Sequence, residues 1–111
     1  MIMDFESIYF IGIGGIGMSN LARYFMLKGK KVAGYDRTET QLTRALVAEG
    51  AQIHYEDAVS SIPVEFLDKE KTLVVYTPAV PVTHSELQYF LQNGFTAMKR
   101  AQLLGEVTRT S

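Results

Sequence analysis

Apolar residues along this chain follow two alternating spacings, and glycines separate the segments that carry them. Continuous apolar runs at 8–11 and 73–76 are typical of strands covered on both faces of a parallel sheet. After the first run, apolar residues recur at helical spacing with polar residues on the opposite side; they lie at Met18, Leu21, Ala22 and Phe25. The pattern therefore predicts a strand followed by an amphipathic helix.

The alternation continues to the end of the chain. Further strands are predicted at 31–35, 51–55 and 95–98, and a further helix at 40–49. The polar connection before the strand at 73–76 has no pattern that predicts its structure. Because strands that alternate with helices imply right-handed crossovers, we predict a single Rossmann-like, doubly wound α/β domain with a mainly parallel sheet of about five strands.

A third helix is predicted after Thr83. The residues Thr83-His84-Ser85-Glu86 match a capping box, in which the first and last side chains each bond the other's backbone N–H. An apolar face follows at Leu87, Phe90 and Leu91, before Gly94. Near the end of the chain, a last segment carries Leu103, Leu104 and Val107 on one face.

Composition narrows the class of protein. The 111 residues are 47% hydrophobic, as in one ordinary globular domain. Eleven basic residues balance twelve acidic ones without long runs, so nothing favours nucleic acid or an anionic membrane as a partner. The absence of cysteine excludes disulfides and thiolate chemistry, and His54 and His84 are interpreted as structural. The longest apolar stretch, 8–18, is too short and glycine-rich for a membrane span.

One glycine-rich motif in the sequence predicts a binding site for a ligand. The residues Gly12-Ile13-Gly14-Gly15-Ile16-Gly17 fit G-x-G-x-x-G, directly after the first predicted strand and at the start of the first helix. Glycines there permit a tight turn, close approach of the backbone to a phosphate, and close packing of helix on strand. The alternative is a tight turn without a ligand. We predict a diphosphate site, because the free N–H groups of the helix face the loop.

Two other segments belong to the predicted site. Asp36 ends the second strand, nineteen residues after Gly17, where a carboxylate reaches a ribose hydroxyl or a base edge. The loop 77–81 follows the fourth strand and is expected to form one wall of the cleft. The spacing identifies no catalytic set and no metal site, and the chain contains no G-x-x-x-x-G-K-[ST] loop. Spacing alone would favour NAD as the ligand.

The sequence also resembles a known family. The run I-G-I-G-G-I-G-M-S at 11–19, followed by Gly34-Tyr35-Asp36, is similar to the amino-terminal domain of the Mur ligases, and the resemblance covers nearly the whole chain. Later matches are Thr43, Leu46, Gly50, Ala51, Ala79, Val80, Glu86, Leu87, Arg100, Ala101, Leu103 and Leu104. A few residues depart from the usual family pattern, namely Tyr9, Tyr35, Thr77, Pro78 and Gln102.

The resemblance implies a function. It implies a cytoplasmic ligase of three domains that joins L-alanine to UDP-N-acetylmuramate in peptidoglycan precursor synthesis, using ATP and magnesium. Residues 1–98 would then bind the UDP-sugar, and 99–111 would begin the connection to an ATP-binding domain. The partners of this chain would be the UDP-sugar and the remaining domains of the polypeptide, and the chain alone would bind without catalysis.

The resemblance also implies the substrate-binding residues. The diphosphate would face the loop, and the uridine would lie near Asp36, with further contributions from Ala79 and Arg100. The loop residues concerned are Gly14, Gly15, Ile16, Gly17 and Met18.

Three alternatives stay open at this point. The first is the NAD(P)-binding domain of an oxidoreductase, which the glycine loop and Asp36 permit. The second is a regulatory module that senses a nucleotide and changes its assembly. The third is a sister ligase that attaches a tripeptide to the same UDP-sugar, although the full glycine run at 12–18 is unusual for it.

Overall fold

The computed structural model describes residues 2–110, which form a five-stranded sheet with helices on both faces. The strands in chain order are β1 Ser7–Ile11, β2 Lys31–Tyr35, β3 Gln52–His54, β4 Thr72–Tyr76 and β5 Thr96–Lys99. The helices are α1 Ile16–Leu27, α2 Gln41–Glu49, α3 Ser85–Gln92 and α4 Arg100–Thr110. All neighbouring strands are parallel, in the order β3-β2-β1-β4-β5. The predicted doubly wound α/β fold is confirmed.

The two faces of the sheet build two hydrophobic clusters. Phe10 and Val75 point to one face, where they pack with α1, α2 and α4. Tyr9 and Val74 point to the other face, where they pack with α3. Because successive residues of a strand alternate between faces, β1 is buried along its whole length and contributes to both clusters.

The helices on the first face follow the sequence pattern closely. All four apolar positions predicted for α1 are buried. Thr40 caps α2, because its side chain accepts the Thr43 N–H at 3.1 Å while the Thr43 hydroxyl accepts the Thr40 N–H at 2.8 Å. These local interactions fix the two helices that frame the carboxyl ends of β1 and β2.

The predicted start of α3 is wrong in detail. The N-cap is His84 instead of Thr83, and the Glu86 carboxylate is buried against Tyr9 and His54. Since Tyr9 donates to the carboxylate in the core and His54 lies against it, Glu86 does not form the predicted capping box. Two residues placed on apolar faces are also partly exposed, Leu91 at 47% and Leu104 at 43%.

The connection between β3 and β4 contains two short 3-10 turns, Val59–Ser61 and Val64–Phe66. Ile62 and Phe66 are buried, and they pack in the same cluster as Tyr9. This irregular segment therefore covers the sheet face where a crossover helix would otherwise lie. Within the described part of the chain, no helix has the length and apolar character needed to cross a membrane.

Candidate functional site

A cleft of about 890 Å³ opens at the carboxyl ends of the strands. The strand order reverses between β1 and β4, and doubly wound sheets bind ligands at that point. The cleft is lined by Gly12, Gly15, Ile16, Gly17, Met18, Tyr35, Asp36, Arg37, Asp57, Thr77, Ala79, Val80, Pro81, Thr83, His84 and Arg100.

The turn from β1 into α1 leaves the first amides of the helix without acceptors. Gly12 has a backbone φ of +93°, which residues other than glycine rarely adopt. Its N–H donates to the Tyr35 carbonyl at 2.8 Å. Gly15 is the N-cap and has no side chain to bond these amides. The first helical bond runs from the Ser19 N–H to the Gly15 carbonyl at 2.8 Å, so the N–H groups of 16–18 have no acceptor within the helix. They lie at the positive end of the helix dipole, where an anion could accept their hydrogen bonds.

Arg100, the first residue of α4, brings a cation to the same helix end. A Cβ atom at Gly17 would lie 3.0 Å from Cδ and 3.1 Å from Nη1 of Arg100, so the guanidinium packs directly over the first turn of α1. No carboxylate within residues 2–110 forms an ion pair with Arg100. The guanidinium and the three N–H groups therefore converge on one place, where a diphosphate would satisfy them together.

Asp36 binds the glycine loop. Its Oδ2 accepts the Gly14 N–H at 2.7 Å, and its Oδ1 accepts the Thr38 N–H at 3.1 Å. The carboxylate thereby holds the loop against the end of β2, and it fixes the direction in which α1 presents its free amides. Asp36 also lines the cleft, and its place near the uridine stays a prediction.

The structure brings most of the proposed binding residues together. Those that line the cleft are Gly15, Ile16, Gly17, Met18, Asp36, Ala79 and Arg100. Gly14 differs, because its N–H is directed to Asp36, and its contact with a diphosphate stays a prediction. The loop 77–81 forms part of the cleft wall, as expected from its place after β4.

The cleft has five further lining residues that the sequence does not assign to the site, namely Tyr35, Arg37, Asp57, Thr83 and His84. Arg37 follows β2, Asp57 follows β3, and His84 caps α3. The first two come just after strand ends, so the rule that parallel sheets bind ligands at their carboxyl edge could have identified them. His84 has no comparable signal, because its place on the cleft depends on where α3 begins.

Asp57 and His84, which we call the α3 wall, join the segment after β3 to the start of α3. Asp57 accepts the Ser85 N–H at 2.9 Å and the Glu86 N–H at 3.1 Å. The His84 Nδ1 lies 3.2 Å from Asp57 Oδ1 and 3.4 Å from the Leu87 nitrogen. Partial burial raises the pKa of Asp57. The two N–H donors and His84 together lower it by more than burial raises it, so the pKa lies below its ordinary value.

We expect Asp57→Ala to lower the free energy of unfolding by about 1 kcal/mol at neutral pH, because two amides at the start of α3 lose their acceptor. The pKa of Asp57 is lower in the folded chain than in the unfolded chain, where it is about 3.9. The ionised carboxylate thus stabilises the fold above that pH, and this contribution is lost as the pH falls through the folded-state pKa.

Urea unfolding of both proteins between about pH 7 and pH 3 measures the effect of Asp57. The difference in stability should be largest at neutral pH and should shrink in acid. Equal stabilities at neutral pH would show that the bonds from Ser85 and Glu86 to Asp57 do not stabilise the start of α3.

Comparison with known proteins identifies the family. The family model described as Mur ligase family, catalytic domain, matches residues 7–111. A UDP-N-acetylmuramate-L-alanine ligase of Parabacteroides distasonis is 58% identical over 105 residues, which are 95% of this chain and 23% of that protein. The ligase of the same name from Phocaeicola vulgatus is 60% identical over 103 residues, which are 93% of this chain and 22% of that protein.

A solved structure agrees with these sequence matches. The UDP-N-acetylmuramate-alanine ligase MurC of Thermotoga maritima is 28% identical and superposes with a TM-score of 0.82, over 94% of this chain and 23% of that chain. The chain thus spans 22–23% of the length of these relatives. The family model extends from β1 through the glycine loop and past Arg100, so it includes the whole cleft. This chain therefore belongs to the Mur ligase family.

Proposed function

We propose that this chain is the UDP-sugar-binding domain of an ATP-dependent ligase that joins L-alanine to UDP-N-acetylmuramate in peptidoglycan precursor synthesis. One observation carries the proposal: the three free N–H groups of α1 and the Arg100 guanidinium converge at the strand-order reversal. The similarity to the UDP-N-acetylmuramate-L-alanine ligases of P. distasonis and P. vulgatus supports the choice of ligand.

In this proposal each part of the cleft has a role. The diphosphate accepts N–H bonds from the start of α1 and from Arg100, and charge-assisted bonds of this kind contribute about 1.5–3 kcal/mol each before desolvation is subtracted. Gly14 and Asp36 hold the loop in place, and the uridine lies on the Asp36 side. Ala79 contacts the substrate from the loop after β4.

ATP and magnesium, which such a ligase requires, do not fit the residues of this chain. The sequence has no G-x-x-x-x-G-K-[ST] loop, and residues 2–110 contain no group of three or more His, Asp or Glu side chains placed to hold a metal ion. We therefore assign substrate binding to this chain and place the ATP chemistry in other domains of the same polypeptide. The chain alone then binds the UDP-sugar without turning it over.

This division of labour also gives the proposed domain boundaries and setting. The predicted binding domain ends at residue 98, but β5 extends to Lys99, and Leu103 and Val107 of α4 are buried in the same cluster as Phe10. We therefore include α4 and its Arg100 in the binding domain, and we place the connection to the ATP-binding domain after α4. The whole ligase acts on a nucleotide-linked precursor, so we place it in the cytoplasm.

Calorimetric titration of the 111-residue chain tests the proposal. The ligands are UDP-N-acetylmuramate, UDP, UMP, NADH and NADPH in one buffer at one salt concentration. We expect UDP-N-acetylmuramate and UDP to bind, UMP to bind more weakly because it lacks the second phosphate, and the nicotinamide cofactors not to bind.

The other outcomes separate the alternatives. Binding of a nicotinamide cofactor alone would favour the oxidoreductase. A change of sedimentation on adding UDP would favour the regulatory module, because such a module changes its assembly when it binds. Binding of none of the five ligands would contradict a UDP-sugar site within this chain.

A further inference from the structure

Glu86 is a fully buried carboxylate that does not line the cleft. Its Oε1 accepts the Tyr9 O–H at 2.6 Å, and its Oε2 lies 2.6 Å from the His54 Nε2 and accepts the Ala58 N–H at 3.2 Å. A buried charge is costly unless its oxygens are hydrogen-bonded, and here both oxygens are occupied. Burial and the charge of Glu86 raise the pKa of Tyr9 well above its usual range, so the phenol keeps the proton that it donates.

The three donors to Glu86 come from separate parts of the fold. Tyr9 lies at the centre of β1, His54 ends β3, and Ala58 follows Asp57 in the irregular segment after β3. Glu86 itself is the second residue of α3. The carboxylate therefore ties the start of α3 to the central strand, the edge strand and the segment that carries Asp57.

The hydrogen bonds between this segment and α3 run in both directions. Glu86 accepts an N–H from Ala58, and Asp57 accepts the N–H groups of Ser85 and Glu86. The α3 wall, Asp57 and His84, is held by this reciprocal pair. The position of the wall relative to the glycine loop thus depends on where the core holds Glu86.

We infer that Glu86 is a positioning residue for nucleotide binding, which it supports by holding the α3 wall at its distance from the glycine loop. The inference rests on the proposed function, because the wall matters only if a nucleotide lies in the cleft. A buried ionic group is weak evidence for stability, since apolar residues of similar volume often serve as well. The Glu86 carboxylate holds groups from three different segments, those of Tyr9, His54 and Ala58, in one fixed arrangement.

Glu86→Gln is the central variant, because glutamine keeps the shape and replaces an accepting oxygen with an N–H₂ group. At least one of the hydrogen bonds that Tyr9, His54 and Ala58 make to the carboxylate is then lost, although Ala58 keeps its N–H bond to the Glu56 carbonyl at 2.9 Å. We expect the Kd for UDP to rise about tenfold, and the amide hydrogens of Ala58 and Ser85 to exchange faster by a similar factor. Tyr9→Phe removes the hydroxyl that donates to Glu86 and lies 3.1 Å from the His54 Nε2, but it leaves the carboxylate in place, and it should raise the Kd about threefold.

Ile8→Val is the matched control. Ile8 is buried near the amino end of β1, away from the cleft, and it faces the hydrophobic cluster that does not contain Tyr9. Losing one methyl group therefore destabilises the fold without changing the contacts of the α3 wall. We expect its Kd for UDP to equal that of the wild type. If Glu86→Gln does not fold, Tyr9→Phe decides the matter by the same two measurements.

Three results would overturn the inference. The first is faster exchange at Ala58 and Ser85 with unchanged affinity for UDP, and the second is unchanged exchange at both amides. The third, weaker UDP binding by Ile8→Val to the same degree, would show that general stability, and not the wall, sets the affinity. A wild type that binds no UDP would contradict the proposed function, and the exchange data would still decide whether Glu86 positions the wall.

Discussion

Gly34→Ala should lower the free energy of unfolding by about 3 kcal/mol or more, a large part of the stability of a domain this small. Gly34 lies in β2 directly opposite Phe10 of β1. A Cβ atom there would overlap the Phe10 carbonyl oxygen and would lie 3.1 Å from the Cβ of Ile13. Phe10 belongs to the central strand and Ile13 is fully buried, so neither can move without opening the β1-β2 pairing.

Urea unfolding followed by circular dichroism measures the loss, and Gly105→Ala is the control. Gly105 lies within α4, has no positive φ, and leaves open space within 4 Å of an added Cβ atom. Alanine should therefore stabilise that helix by about 0.5–1 kcal/mol. Similar unfolding midpoints for both variants would show that β1 and β2 tolerate a side chain at Gly34.

Arg100→Ala should raise the Kd for UDP-N-acetylmuramate about 10- to 100-fold, since it removes charge-assisted bonds of about 1.5–3 kcal/mol. The guanidinium packs over Gly17 at the helix end that presents the free amides, and it has no carboxylate partner within residues 2–110. Arg100→Lys should recover part of the affinity, because lysine keeps the charge without the planar pair of donors.

Calorimetry of these variants is compared with Arg109→Ala. Arg109 lies in the same helix, is exposed, and pairs with Glu106 at 3.3 Å, so its removal changes the net charge equally without reaching the cleft. We expect Arg109→Ala to bind like the wild type at moderate salt, where distant exposed charges are screened. Equal losses for the two alanine variants would show that the effect is one of net charge.

The order of strands and helices could be predicted because each element is specified by residues close together in the sequence. Met18 and Phe25 lie on one side of α1 by spacing alone, and both are buried. The continuous apolar run at 8–11 predicts a strand that is buried on both faces. The structure confirms this, because residues of β1 pack in both hydrophobic clusters. The glycine loop was recognisable for the same reason, since its turn and its helix are neighbours in the chain.

What could not be predicted depends on contacts between distant residues. The capping box expected at Thr83 fails because Tyr9 lies 77 residues from Glu86 in sequence and bonds its carboxylate. Asp36 is expected to contact a ligand from the end of β2 and does line the cleft, but no local pattern predicts that its oxygens also accept the Gly14 and Thr38 N–H groups. No local pattern distinguishes a carboxylate that contacts a substrate from one that holds the loop beside it.

Helices α1 and α2, which pack on the same face of the sheet, begin in different ways, and the difference has a consequence for stability. Thr40 supplies its own oxygen to the start of α2, whereas Gly15 supplies none to the start of α1. A diphosphate bound at α1 would take the place of that missing side chain, so in folding terms the substrate would be the cap of the first helix. The concentration of the UDP-sugar would then set the resistance of the domain to heat and to proteases, and unbound domains would be the first to be degraded.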